Sequence, residues 1–174
     1  EGYLFPDTYF FLPGQDPLLI IETLESNFKR KISDPKVAAA IAAYGKPLSD
    51  IVVMASLLEK EASDTESRRR IAGILWRRIS INMPLQVDAV FPYIIGKNSL
   101  QLTRTDLKTE SPYNTYIHKG LPPGPITNPG IDSIVAAVTP IKSNYIFYLS
   151  DLDGNFHYSV TYAQQLANQN KYLR

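Results

Sequence analysis

The chain has 174 residues, 44% hydrophobic and 20% charged, which fits one globular domain and excludes intrinsic disorder. Lys and Arg number 18 against 17 Asp and Glu, leaving a net charge of +1, so no bulk field draws in a nucleic acid. Nor does any run of about 18 apolar residues offer to span a membrane. Cysteine is absent and the two histidines, His118 and His157, lie far apart, so no disulfide, thiol chemistry, metal or cofactor is expected.

The aromatic opening EGYLFPDTYFFLPG closes on a Pro13-Gly14 turn signal. Helical periodicity then runs from about Asp16, a side-chain cap followed by Pro17, to Ile32, with Leu19, Ile20, Leu24 and Phe28 on one side. A short Ala-rich helix is predicted over 35–44, stopped by Gly45. Ser49 or Asp50 is the expected cap of the next helix, about 51–62. Residues 63–66 read as a break and a fresh cap, and a long helix follows to about Ile81 with Ile71, Ile74, Leu75 and Ile79 as its apolar stripe. The basic residues Arg68 to Arg70, Arg77 and Arg78 on that helix read as a solvated face.

From Asn82 to Asn128 the chain is rich in Pro, Gly, Tyr, Asn and Thr. SPYNTYIHKGLPPGPITNPG (111–130) is too rigid and polar for a helix and too rich in Tyr and apolar residues for a linker, so an ordered, functional loop is expected. Gly130 or Asp132 starts a short helix to Val138. Tyr145–Leu149 and Phe156–Val160 form a hairpin through Asp153-Gly154, and a polar helix closes the chain. Helices first and a hairpin late predict an α+β fold: a helix-rich domain with a long ordered loop region and a C-terminal β-hairpin.

One local anomaly points to chemistry. In IVVMASLLEKEAS (51–63), a turn of about 100° per residue puts Glu61 inside the apolar arc of Met54, Leu57 and Leu58. Lys60 falls toward the polar side and Glu59 near the arc's edge. A carboxyl among apolar side chains holds its proton to higher pH, which suits a general acid in glycoside cleavage. The alternative is a helix-end glutamate that reaches solvent or Arg68. The chain also has 11 Tyr. Several share the loop-rich middle with Gln86, Asp88 and Asn114, the aromatic faces and planar polar groups that bind sugars, although a half-buried Tyr with a wet hydroxyl is the ordinary case.

These blocks together resemble a known family. EGYLFPDTY (1–9), ASLLEKEAS (55–63), MPLQVDAV (83–90), the 111–130 segment and YIFYLSDLDGNFHYSVTYA (145–163) are similar to the signature blocks of the MltG/YceG-like endolytic murein transglycosylases, in order along the chain. The resemblance implies a lyase that cuts the β-1,4 bond between N-acetylmuramic acid and N-acetylglucosamine and leaves a 1,6-anhydro end. It makes Glu61, the second Glu of the E-K-E block, the catalytic residue. Gln86, Asp88, Tyr113, Asn114 and Tyr116 are the expected substrate-binding residues, with Pro122 and Pro123 in a rigid cleft wall. Expected partners are peptidoglycan glycan strands and peptidoglycan synthases, and no nucleic acid. The chain opens on Glu1-Gly2-Tyr3. It reads as one catalytic domain, 1–174, excised from a longer protein whose membrane anchor lies outside it and which works at the extracytoplasmic face of the cell membrane. It departs from the family pattern at Asn82, where Gly is common, at Ala89-Val90, where Pro-Thr is frequent, and at Gln164-Gln165, in place of Glu-His. Two rivals stand beside this reading: a hydrolase in which Asp88 positions a water, and a non-catalytic peptidoglycan-binding domain.

Overall fold

The computed structural model describes residues 1–98 and 101–173. Its α-helices are α1 (Pro17–Ile32), α2 (Pro35–Tyr44), α3 (Leu48–Glu61), α4 (Thr65–Ser80), α5 (Phe91–Ile95), α6 (Ile131–Val138) and α7 (Tyr162–Tyr172). Strands β1 (Phe147–Ser150) and β2 (Phe156–Ser159) pair antiparallel, with Tyr148 opposite Tyr158 and Leu149 opposite His157. The expected α+β architecture is what forms, with short 3-10 turns at Asp88–Val90 and Asp106–Lys108 breaking the loop-rich middle.

The core is organised around α3. Every residue from Ile51 to Leu58 is buried, so this helix is apolar on all sides, as a helix enclosed by other elements must be. It packs against α4 and α6, with α2 lying on α6 and α1 on α2. Asp16 caps α1 by accepting the Leu18 amide, as its sequence position suggests. The predicted apolar stripe of α1 is only partly used: Phe28 is buried, Ile20 and Leu24 are half-buried, and Leu19 is exposed. The expected cap of α3 is corrected. That helix starts a turn earlier than its periodicity suggests, after Pro47, and no side chain caps it. Ser49 and Asp50 therefore lie inside the first turn, where the carboxylate still faces the positive end of the helix. Asp64 does cap α4, accepting the Ser67 amide at 2.8 Å.

Two sets of bonds place the later half of the chain against these helices. The Trp76 indole donates to the Ala137 carbonyl at 2.9 Å, and the Arg69 Nε to the Thr139 carbonyl at 2.7 Å, which fixes α4 against the end of α6. The buried Ser56 hydroxyl of α3 accepts the Ile126 amide at 3.1 Å, and Thr115 accepts the amides of Gln86 and Val87. The 111–130 segment is thereby pinned to the C-terminal half of α3 and to the 84–87 strand-like stretch. The hairpin rests on α7. In that helix Thr161 and Gln164 form a reciprocal cap, and the Gln165 amide donates to the Tyr148 carbonyl at 3.0 Å.

Gly73 tests the α4 placement. A Cβ there would lie 2.1 Å from the Ile141 carbonyl oxygen. Alanine in a helix interior is worth about 0.8–1.0 kcal/mol over glycine, but overpacking costs about 1–3 kcal/mol, and a backbone carbonyl cannot swing away as a side chain can. Gly73→Ala should therefore destabilise the protein in a denaturant titration. An increase in stability would mean the α4 contact is looser than described.

Candidate active site

The last turn of α3 leaves the core and opens into a groove of about 720 Å³. Glu61 stands at that turn, and four further segments meet it there. Tyr148 comes from β1, Asp88 from the 3-10 turn, Tyr116 from the 111–130 loop and Arg78 from α4. The Tyr148 hydroxyl donates to Glu61 Oε2 at 2.7 Å. The Tyr116 hydroxyl donates to Asp88 Oδ1.

Burial dominates the electrostatics of Glu61. Removal from water raises its carboxyl from the usual value of 4.5 to about 7, and the negative Asp88 pushes the same way. The Tyr148 hydrogen bond, the Ala89 backbone amide and the Arg78 charge oppose the rise, and burial outweighs them. Arg78 is weak in this role because its fork is committed elsewhere. Its Nε donates to the Ile146 carbonyl and its Nη1 to the Leu85 carbonyl, each at 2.6 Å. The guanidinium also lies over the Phe147 ring, 5.3 Å from its centre.

The other glutamate of the block has a different task. Glu59 Oε2 accepts the Gly130 amide at 2.9 Å and the Ser133 hydroxyl at 2.7 Å, so it caps the N-terminus of α6. Arg68, a sequence candidate for pairing with Glu61, goes instead to the Ala62 carbonyl and to Glu59 Oε1, 3.7 Å away. About 200° of helix separates the two glutamates, so one braces a helix joint while the other faces the groove.

Of the residues expected to bind substrate, Gln86, Asp88 and Tyr116 line the groove with Glu61. Gln86 is exposed and holds a left-handed backbone, φ 50°. Tyr113, Asn114, Pro122 and Pro123 are not brought to the groove lining. Asn114 is fully buried, its amide donating to the Leu107 and Thr109 carbonyls and its oxygen accepting the Tyr116 amide. It shapes the loop that presents Tyr116. Tyr113 sits behind the groove-lining Tyr93, ring centres 4.8 Å apart, with its hydroxyl against Gly124. Pro122 is buried and Pro123 exposed on the outside of the loop.

Among the groove residues that the sequence does not single out, Arg78 and Tyr148 act directly on Glu61. Arg78, expected on a solvated helix face, is instead buried, at 5% exposed. Nothing in the sequence separates it from Arg77, because its partners lie on the hairpin and the 84–85 stretch. Tyr148 carried a usable signal, since strand alternation puts it opposite in sense to the buried Leu149.

The comparisons with known proteins follow the same outline. The model of the YceG-like family matches residues 1–171. A protein named endolytic murein transglycosylase from Bacillus subtilis (strain 168) is 35% identical over 175 residues, covering 99% of this chain and 48% of that protein. One of the same name from Streptococcus pneumoniae serotype 2 is 30% identical over 165 residues, covering 91% of this chain and 30% of that protein. The crystal structure of a YceG-like protein from Listeria monocytogenes superposes with a TM-score of 0.88 at 33% identity, covering 95% of this chain and 54% of that one. The chain thus spans about half the length, or less, of the relatives it matches.

The two glutamates should respond oppositely to loss of charge. Native Glu61 keeps its proton to about pH 7 and the unfolded chain only to about 4.5, so the native state binds more protons in between and loses stability as pH rises through that window. Glu61→Gln should match the wild type below about pH 4.5 and become more stable by up to about 3 kcal/mol above pH 7. Glu59→Gln should lose about 1–2 kcal/mol by weakening a charged cap. Melting temperatures at pH 4 and pH 8 check both. A Glu61→Gln protein that is less stable at pH 8 would contradict the burial described.

Proposed function

The chain belongs to the YceG-like family, and from that premise we propose that it is the catalytic domain of an endolytic peptidoglycan lytic transglycosylase. It cleaves the bond between N-acetylmuramic acid and N-acetylglucosamine within glycan strands and leaves a 1,6-anhydro end. The observation that carries the reading is a single glutamate at the end of a buried helix, raised to about 7 and open to a groove large enough for sugar rings.

Protonated Glu61 donates to the glycosidic oxygen as the bond from muramyl C1 to that oxygen breaks. Positive charge develops at C1. The muramyl 6-hydroxyl closes onto C1 and its proton returns to Glu61, so the carboxyl ends as it began and no water is consumed. One group acts as acid and then as base, which is efficient only when its pKa lies near the working pH. Asp88, held by Tyr116, and Gln86 serve as hydrogen-bonding groups for the sugar. Tyr93, Tyr116 and Ile126 supply groove surface for ring faces. In the whole protein the domain acts on the wall outside the cytoplasm, anchored at the membrane by a segment outside this chain, with peptidoglycan synthases as partners.

Asp88 in the same groove keeps hydrolysis as the second reading. Mass analysis of products from purified glycan strands separates the two, since an anhydro end is lighter by one water than a reducing end. Anhydro products are expected. Glu61→Gln should lower turnover by about 10²–10⁴-fold with folding retained. Turnover should fall on the alkaline side with a midpoint near 7. A folded Glu61→Gln protein with wild-type turnover, or activity that climbs steadily with pH, would remove Glu61 from the role of acid.

A further inference from the structure

Glu61 accepts one side-chain hydrogen bond among the described residues, from the Tyr148 hydroxyl to Oε2. We propose that Tyr148 is the positioning residue of the reaction: by holding Oε2 as an acceptor, it assigns proton transfer to Oε1. The inference rests on the reading of Glu61 as acid and base.

A protonated carboxyl has one hydroxyl oxygen and one carbonyl oxygen. The oxygen that accepts a hydrogen bond throughout the cycle stays carbonyl-like, and the other carries the proton. Tyr148 is suited to remain the donor. Burial holds its phenol well above the usual value, so it does not ionise, and the nearby Arg78 cation makes its hydroxyl a better donor than acceptor. Its position is set by the hairpin, not by Glu61. The backbone is paired opposite Tyr158, its carbonyl is held by Gln165, and its ring leans on Phe156 with centres 6.4 Å apart. The other groups around the carboxyl are not available for this task. The Tyr116 hydroxyl goes to Asp88, and Arg78 points two of its nitrogens at backbone carbonyls. Asp88 repels the charged form, and the Ala89 amide favours that form from beside the carboxyl but, unlike the Tyr148 hydroxyl, makes no hydrogen bond to it among the described residues.

The arrangement solves a specific problem of one-carboxyl catalysis. The proton must leave and return along nearly the same line, since the glycosidic oxygen and the 6-hydroxyl both surround C1. A carboxyl free to rotate would divide its proton between two oxygens that aim differently. Locking one oxygen keeps the second aimed at the sugar in both half-steps.

The test is Tyr148→Phe in the whole protein, assayed on purified glycan strands. KM should stay within about twofold, because Tyr148 is assigned no sugar. The maximal rate should fall about tenfold or more, the worth of one hydrogen bond to a charged group. The alkaline midpoint should move up, because the lost bond favoured the charged carboxyl. An unchanged rate with an unmoved midpoint overturns the proposal. So does a loss of rate and melting temperature with an unmoved midpoint, which is the mark of a packing role. Phe156→Leu, which disturbs the same packing but leaves the hydroxyl, should lower the melting temperature without moving the midpoint. Should Tyr148→Phe not fold, 3-fluorotyrosine at position 148 keeps the hydroxyl and makes it a stronger donor. The midpoint must then move down, and a fixed midpoint overturns the proposal. Glu61→Gln in the same assay separates the two levels. Activity in that variant removes the acid reading itself, whereas an inactive Glu61→Gln beside a wild-type-like Tyr148→Phe removes only the role given to Tyr148.

Discussion

Glu61 is kept neutral near pH 7 chiefly by being taken out of water, and most of this fold is arranged so that it meets that condition without closing its access. A helix with every residue from Ile51 to Leu58 buried carries it, so the last turn is rigidly placed. The walls around that turn come from far along the chain: the 3-10 turn at Asp88, the loop at Tyr116 and the hairpin at Tyr148. Arg78 shows how finely the balance is set. A free arginine beside a carboxylate lowers its pKa, often by more than a unit. Here the guanidinium is bound to two carbonyls and lies over Phe147, and its pull on Glu61 is weaker than that of the Tyr148 hydroxyl or the Ala89 amide. It stitches the hairpin to α4 and the 84–85 stretch while leaving the acid's proton in place.

The elements that the sequence made legible are those with local causes. Asp16 and Asp64 cap their helices because a short acceptor follows a turn, and the late hairpin forms around a glycine at φ 85°. Glu61 is a more instructive case. The helical wheel singled it out for lying in an apolar arc, yet α3 is buried on every side, so the arc does not mark a face. What distinguishes Glu61 is that the helix ends there and the core opens. The wheel and the family pattern agreed on the residue, and the structural cause is position along the axis, not angle around it. Arg78 and Asn114 were misread for one common reason. A polar side chain in sequence does not reveal whether its hydrogen bonds will go to water, to a ligand or to main-chain carbonyls many residues away, and both of these turn inward.

The departures from the family pattern become intelligible in the same terms. Asn82, where the resemblance leads to an expected glycine, has φ 58°, a region that asparagine tolerates better than other residues with a side chain. It ends the turn that feeds the chain from α4 into the groove wall. Gln164 and Gln165, where the family resemblance leads to an expected acid and histidine, both make neutral bonds. The first completes the cap of α7, and the second holds the Tyr148 carbonyl and the Ser159 hydroxyl. Gln86 carries φ 50° with no such excuse in its side chain. Strain of this kind gathers at functional sites and costs about 1–3 kcal/mol, and here it turns an amide toward the groove from a backbone pinned to Thr115.

The same free energy appears twice in Glu61, once as a cost and once as a capability. An ordinary glutamate near 4.5 would hold its proton in roughly one molecule in 300 at pH 7, whereas one near 7 holds it in about half. The gain in acid form is a factor of about 150, and the accompanying loss of folding stability is about 3 kcal/mol. Moving the pKa further would add at most a factor of two in acid population while weakening the base that, in the proposed mechanism, recovers the proton from the 6-hydroxyl. A two-carboxylate glycosidase escapes this limit by separating the roles and setting each group apart. A single carboxyl that serves both half-steps, as proposed for Glu61, has its best position near the working pH, and burial brings Glu61 to about 7.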